Sequence, residues 1–202
     1  MSDKALFDAV RVVAGRNLTQ PDVDLINRAL GRTLAAAVVT GRKISPAGIA
    51  IIEEFEGFQS EAYRDPGSKD GKPITCGFVS TRHLDGRPIQ LGEVWSREYA
   101  LEVRARDLLV FEAGVNQLVG TAPTTQAQFD ALVSLAYNIG LDIDDDAYAE
   151  GLGDSTLMKK HLEGDYAGAQ AAFRSWRFND GKEMAGLVRR RAAEATLYGG
   201  AS

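Results

Sequence analysis

The sequence predicts an α+β protein in which a small antiparallel sheet lobe lies beside a mainly helical lobe. Long amphipathic stretches follow residue 96, which indicates helices with one buried face. Glycines and prolines cluster between Tyr63 and Trp95, with short β-type runs between them. The apolar fraction of 45% and the charged fraction of 25% are typical of a globular protein. A cleft between two such lobes is a common place for a ligand.

Two helices have clear start and stop signals. Ser45 before Pro46 predicts an N-cap followed by proline in the first turn, and Gly57 predicts the end of this helix. Thr125 and Gln128 predict a capping box, with apolar residues at helical spacing up to residue 140. Further helices are predicted over residues 96–118, 156–162, 166–173 and 185–197. The runs "ITCGFV" (74–79) and "RPIQL" (87–91) predict short strands, too few for a core of their own.

Composition narrows the classes of function. The net charge of −5 argues against a dedicated nucleic-acid binder. The single cysteine, Cys76, allows no disulfide within the chain. The longest apolar run, residues 34–39, is far too short to span a bilayer, and the N-terminus lacks the features of a signal peptide. His83 and His161 are far apart and predict no metal site, and no cofactor is expected.

Two acids stand out at the end of the first of these helices. Glu56 shares a helix face with Ile49 and Ile52, because seven residues fall only about 20° short of two turns. Apolar neighbours favour the neutral form of a carboxyl, as a general acid requires. Asp65 lies in a turn before Pro66 and is expected to stay ionised. One neutral and one charged carboxyl suit cleavage of a glycosidic bond. On spacing alone, however, a solvated helix-end glutamate and an ordinary turn aspartate are the favoured interpretation.

Three segments resemble the phage-type (T4-like) lysozymes, or endolysins, of glycoside hydrolase family 24. The first is "EGFQSEAYRD" followed by "TCGF", which is similar to the family pattern E-G-x-x-x-x-x-Y-x-D and then T-I-G-Y-G. The second, "TTQAQFDALVSLAYNIG", resembles the family's central helix, and the third, residues 155–198, resembles its C-terminal segment. The resemblance covers residues 44–198.

The resemblance implies a lysozyme-like catalytic domain over residues 44–202. Members of the family hydrolyse the β-1,4 bond between N-acetylmuramic acid and N-acetylglucosamine in peptidoglycan. On this basis Glu56 protonates the leaving oxygen, while Asp65 and Thr75 position a water on the opposite face of the sugar, with inversion. Glu53 and Glu54 are expected to be dispensable. The candidate substrate contacts are Phe78, Ser80 and Asn138.

Two departures from the family pattern keep alternatives open. Nine residues separate Asp65 from Thr75, where the family usually has five, which predicts a longer hairpin tip. The family's G-Y-G-H-T is here "GFVST", with Ser80 where a histidine is common. The alternatives are a lytic transglycosylase and a catalytically impaired wall-binding or virion protein.

Residues 1–43 precede the region of resemblance and predict a helical appendage. Either these helices hold the enzyme against the wall or a partner, or they pack on the catalytic lobe, since so short a segment does not easily form a stable core alone. The expected partner is peptidoglycan, with no nucleic acid and no membrane span, and the chain is expected to be a monomer. We expect synthesis in the host cytoplasm and action on the wall after holin-type lysis or carriage on a particle.

Overall fold

The structure is a computed structural model that describes residues 41–64, 71–143 and 151–200. Six α-helices and a 3-10 turn lie in these ranges: α1 Pro46–Glu56, α2 Arg97–Val119, α3 Gln126–Ile139, α4 Thr156–Leu162, α5 Tyr166–Ala172, the 3-10 turn Phe173–Trp176 and α6 Ala185–Tyr198. The strands are β1 Gln59–Arg64, β2 Ile74–Gly77, β3 Phe178–Asn179 and β4 Lys182–Glu183. The predicted α+β class is confirmed.

The helices begin where their capping residues predict. The Ser45 side chain accepts a hydrogen bond from the backbone N–H of Ala47, with proline in the first turn of α1. Both hydrogen bonds of the Thr125–Gln128 capping box are present at the start of α3. Gly57 and Gly140 follow α1 and α3 with φ values of +64° and +93°, which favour glycine. Local sequence signals therefore fix the two helices that approach the candidate site.

The sheet lobe departs from its prediction. β1 pairs antiparallel with β2, with Tyr63 opposite Thr75, but the polar sequence of β1 gave no strand signal. The predicted strand over 87–91 is wrong: Pro88 makes only an isolated bridge with Arg82. Proline lacks the N–H that a longer ladder needs. Instead, the segment around residues 93–95 hydrogen-bonds to the free edge of β1.

Two hydrophobic cores hold the lobes. The larger surrounds α3, and its buried members include Ile52, Phe129, Leu132, Leu135 and Phe173. The smaller fills the sheet lobe and contains Cys76, Phe78, Ile89, Trp95, Ala100 and Val103. Ala100 and Val103 belong to the first part of α2, whereas Leu108, Val115 and Val119 of the same helix belong to the larger core. Helix α2 therefore joins the two lobes.

The segment just before α1 is fastened to the helical lobe. Asn116 of α2 accepts from the backbone N–H of Arg42 at 2.9 Å and donates to its carbonyl at 2.8 Å. The Ile44 N–H donates to Glu112 at 2.9 Å, and Gln126 donates to the Lys43 carbonyl at 2.8 Å. The predicted appendage, residues 1–43, lies mostly outside the described residues, so its boundary and role stay predictions. None of the helices in the described ranges is long and apolar enough to cross a membrane.

A buried histidine makes stability depend on pH. His161 has one ring nitrogen 2.5 Å from the Tyr198 hydroxyl and the other 2.9 Å from that of Thr124. Burial lowers the pKa of His161 below its ordinary value of 6.5, so the folded protein holds this ring neutral. When the pH falls through 6.5, the unfolded chain binds a proton that the folded chain does not. We expect stability to fall there by up to about 1.4 kcal/mol per pH unit.

Urea unfolding between pH 7.5 and pH 5.5 measures this loss. The matched variant is His161→Gln, which keeps a polar side chain at the position and removes the titrating group. Its unfolding free energy should depend less steeply on pH over this range than that of the wild type. Equal slopes for the two proteins would show that another group is responsible.

Candidate active site

Glu56 occupies the last position of α1 and lies at the centre of the site. As predicted, it is on the buried face with Ile52, and its side chain is 11% exposed, whereas Glu54 is exposed. Its Oε1 accepts a hydrogen bond from Nη1 of Arg190 at 2.5 Å. Among the described residues, no hydrogen bond reaches its Oε2. The apolar neighbours that the sequence predicts are thus only part of the environment, since a guanidinium faces the carboxyl directly.

Arg190 connects Glu56 to a buried charge network. Its Nε donates to Glu194 at 3.1 Å and its Nη2 donates to the Ser134 carbonyl at 3.2 Å. Glu194 also accepts from the Ser134 hydroxyl at 2.8 Å and pairs with Arg191 at 2.8 Å. Two guanidinium groups therefore face two carboxyl groups, and the Glu194 side chain is fully buried. This network fixes the orientation of the Arg190 guanidinium that holds Glu56.

Burial and charge act in opposite directions on the network. Burial raises the pKa of the Glu194 carboxyl, although Arg191 and Arg190 favour its charged form. Burial likewise lowers the pKa of Arg191, against the attraction of Glu194. Two members of the sequence run "RRR" (189–191) pair with Glu194. Arg190 and Arg191 are buried, and only Arg189 is exposed.

Tyr137 of α3 connects the helical lobe to the sheet lobe. Its hydroxyl donates to the Phe78 carbonyl at 3.0 Å. Burial raises the pKa of Tyr137, and the negative charges of Glu56 and Asp107 raise it further. The phenol therefore stays neutral and keeps its hydrogen bond. Because this hydrogen bond joins α3 to the turn after β2, Tyr137 marks a place where the lobes meet.

Two predicted substrate contacts are instead buried. Phe78 is 1% exposed and belongs to the sheet-lobe core, and Ser80 is 3% exposed. The Ser80 hydroxyl donates to Asp107 at 2.9 Å, and Arg106 pairs with the same carboxyl at 2.5 Å. Burial raises the pKa of Asp107 despite these two partners. Burial at both positions argues against direct substrate contact by either side chain. The tight turn directs both side chains inward, and their role as substrate contacts stays a prediction.

The other predicted site residues, Thr75, Asp65 and Asn138, belong to different parts of the sequence. Thr75 lies in β2 opposite Tyr63 and is 3% exposed, with its hydroxyl 3.5 Å from the Tyr63 carbonyl. Asp65 follows β1 directly and lies outside the described residues. Asn138 is exposed at the end of α3, and its role as a substrate contact stays a prediction. Along the chain, β1 lies between Glu56, at the end of α1, and Thr75, in β2.

Arg104 was not expected from the sequence. Its Nη2 donates to Glu53 at 2.6 Å, and its guanidinium lies 4.4 Å from the centroid of the Phe78 ring. Arg104 is buried, so Glu53 is the charged partner of a buried cation. Glu53 therefore has a structural partner, while its dispensability for activity stays a prediction. No local pattern could reveal this pair, because 51 residues separate its members.

Other features of the described chain carry no role in the site. The described residues contain no group of three or more histidine, cysteine, aspartate or glutamate side chains able to hold a metal ion. A recess of about 550 Å³ lies on the sheet lobe, with His83, Glu93, Trp95 and Tyr99 in its wall. Of the predicted catalytic residues that the structure describes, neither Glu56 nor Thr75 lines it.

Comparisons with known proteins agree with this arrangement. The pattern of the family described as phage lysozyme matches residues 53–194. The endolysin of Bacillus phage B103 is 37% identical over 155 residues, which cover 77% of this chain and 53% of that protein. The endolysin of Acyrthosiphon pisum secondary endosymbiont phage 1 is 33% identical, over 77% of this chain and 97% of that protein. The chain spans about half the length of the B103 relative and of the Bacillus phage PZA endolysin.

Solved structures are similar as well. The endolysin from Escherichia coli O157:H7 phage FAHEc1 superposes with a TM-score of 0.65 at 35% identity, covering 78% of this chain and 93% of that one. The muramidase domain of SpmX from Asticaccaulis excentricus gives a TM-score of 0.64 at 34% identity, covering 78% of this chain and 97% of that one. The family pattern spans both Glu56 and the Arg190–Glu194 network that holds it. The chain belongs to the phage lysozyme family.

Proposed function

We propose that the chain is an endolysin-type muramidase that hydrolyses the β-1,4 bond between N-acetylmuramic acid and N-acetylglucosamine in peptidoglycan. The observation that carries the proposal is the Glu56 carboxyl at the end of α1, which accepts a hydrogen bond from Arg190 at 2.5 Å. The relatives named endolysin and the neighbour named a muramidase domain support the same activity. The enzyme is then a glycoside hydrolase that needs no cofactor.

Glu56 acts as the general acid. Arg190 occupies Oε1, so the proton that passes to the leaving glycosidic oxygen is carried on Oε2. When that proton leaves, the carboxyl becomes a carboxylate beside a guanidinium that already faces it, which stabilises the charge that forms. Arg190 therefore both orients the acid and stabilises its conjugate base.

Asp65 and Thr75 act on the water. Thr75 lies in β2 opposite Tyr63, and Asp65 follows Tyr63 by two residues in the sequence. They position the water that attacks the sugar from the face opposite Glu56, which inverts the anomeric centre. Inversion requires room for a water between the two carboxyls.

The protein acts on the cell wall. Its relatives include proteins named SAR-endolysin, from Enterobacteria phage P21 at 29% identity and Escherichia phage Mu at 35% over 92 residues. Release at lysis or carriage on a particle brings the enzyme to its substrate. The monomeric state and the absence of nucleic-acid binding stay predictions.

Clearing of a suspension of purified peptidoglycan tests the activity. We expect the wild type to clear it and Asp65→Ala to lose most of the rate, because the water is no longer held. Thr75→Ser should be milder, since the hydroxyl survives. Failure of the folded wild type to clear walls from several bacteria would instead favour a wall-binding or virion protein. Equal rates for Asp65→Ala and the wild type would remove Asp65 from the mechanism.

A further inference from the structure

The turn that directly follows β2 contains an unusual backbone conformation. Val79 has φ of +63°, in the left-handed region that L-residues avoid. The other non-glycine residues with positive φ in the described ranges are Asp142 and Asp180, and aspartate tolerates this region far better than a β-branched residue. The family's G-Y-G has glycine at this place, and glycine would adopt the same φ without strain.

Hydrogen bonds on both sides of Val79 hold the strained turn in place. Cys76 and Ser80 exchange two backbone hydrogen bonds of 3.0 Å, which close the turn around Val79. On one side, the Phe78 carbonyl accepts from Tyr137 of α3. On the other, the Ser80 hydroxyl donates to Asp107 of α2. Both neighbours of Val79 are therefore bound to helices, one to α3 of the helical lobe and the other to α2, which joins the lobes, and this puts Val79 where the lobes meet.

The free energy gained by burying the Val79 side chain does not offset this backbone strain. Val79 is 41% exposed, whereas Phe78 and Ser80 are 1% and 3% exposed. The turn thus directs its two flanking side chains inward and presents an isopropyl group to solvent. Strained residues that the surrounding structure holds in place cluster at ligand-binding sites. The Phe78 carbonyl, which belongs to the peptide bond before Val79, accepts from the Tyr137 hydroxyl on which the Glu56 charge acts. An exposed apolar group on this turn therefore has the position of a substrate contact.

We propose that Val79 is a specificity-determining residue of the cleft, whose isopropyl group packs against an apolar part of the glycan strand. The apolar parts that peptidoglycan offers are the acetamido methyl groups and the C–H faces of its sugar rings. The contact rests on the proposed muramidase function and extends it to a residue with no acid or base chemistry. Val79 affects how tightly the glycan binds and leaves the proton transfer from Glu56 unchanged.

The test is Val79→Gly, assayed for Tm and for kcat and KM on soluble peptidoglycan fragments. Glycine relieves the strain and removes the contact, so Tm should rise while KM increases roughly three- to tenfold. This is below the 10–200-fold effect of a methylene in an enclosed pocket, because Val79 is partly exposed. The kcat should stay within about twofold. The matched variant Val79→Thr keeps the shape and the strain, so its Tm should stay near wild type and its KM should lie between the other two.

Three results for Val79→Gly would overturn the proposed contact with the glycan. A Val79→Gly protein with higher Tm and unchanged or lower KM would show that Val79 is only a strained replacement for glycine. A lower Tm would show that the side chain stabilises the fold, and a fall in kcat with unchanged KM would place it in the chemical step. Each of these overturns the proposal while wild-type activity stands. An inactive wild type would overturn the proposed function, and this contact with it.

Discussion

Replacing Glu56 by glutamine is expected to lower the rate of wall hydrolysis by roughly 10²- to 10⁴-fold, the usual contribution of general acid–base catalysis. Glutamine keeps the size of the side chain and an oxygen that can accept from Arg190. It has no acidic proton to give to the leaving oxygen. Initial rates of wall clearing measure the loss, and thermal unfolding shows that the variant is folded.

The matched control is Glu54→Gln, since Glu54 is exposed and belongs to the same helix. Its rate should equal that of the wild type. Glu53→Gln is a poorer control, because Glu53 pairs with the buried Arg104 at 2.6 Å. A folded Glu56→Gln variant that clears walls at the wild-type rate would remove Glu56 from the mechanism.

Arg190→Gln is expected to have the largest effect on stability. It removes the cation that lies between Glu56 and the fully buried Glu194, and breaking a buried ion pair from one side costs about 3–5 kcal/mol. Arg191 remains to compensate Glu194 in part. Urea unfolding measures the change in free energy, and activity should fall with it because the Glu56 carboxyl loses its orienting partner.

Arg189→Gln provides the control for Arg190→Gln. The two arginines are adjacent in α6, but Arg189 is exposed, and exposed substitutions usually change stability by about 0.5 kcal/mol or less. If Arg190→Gln costs no more than Arg189→Gln, the charge network does not hold the helices together. An active, stable Arg190→Gln variant would also show that Glu56 needs no orienting partner.

The sequence could predict the helices because their signals are local. Ser45, Pro46 and Gly57 bound α1, and the capping box at Thr125 starts α3 within four residues of sequence. The strands were harder, since a strand is defined by its partner. β1 has a polar sequence that becomes a strand only by pairing with β2 and with the segment around residue 94.

The candidate site also combines a feature that local sequence predicts with features that arise only from long-range contacts. Helical spacing placed Glu56 on the buried face of α1, and the family pattern selected it. Its partner Arg190 lies 134 residues away, so no spacing rule could connect them. The inward orientation of Phe78 and Ser80 depends on the turn at Val79 and on contacts with α2 and α3. Long-range contacts of this kind are visible only in the folded chain.

The central claim is that Glu56 protonates the glycosidic oxygen and that water completes the cleavage. Mass spectrometry of the sugars released from purified peptidoglycan tests it most directly. Hydrolysis leaves N-acetylmuramic acid with a free reducing end, and we predict that these products dominate. Products that mainly carry a 1,6-anhydro ring, lighter by one water, would contradict the account and show a lytic transglycosylase.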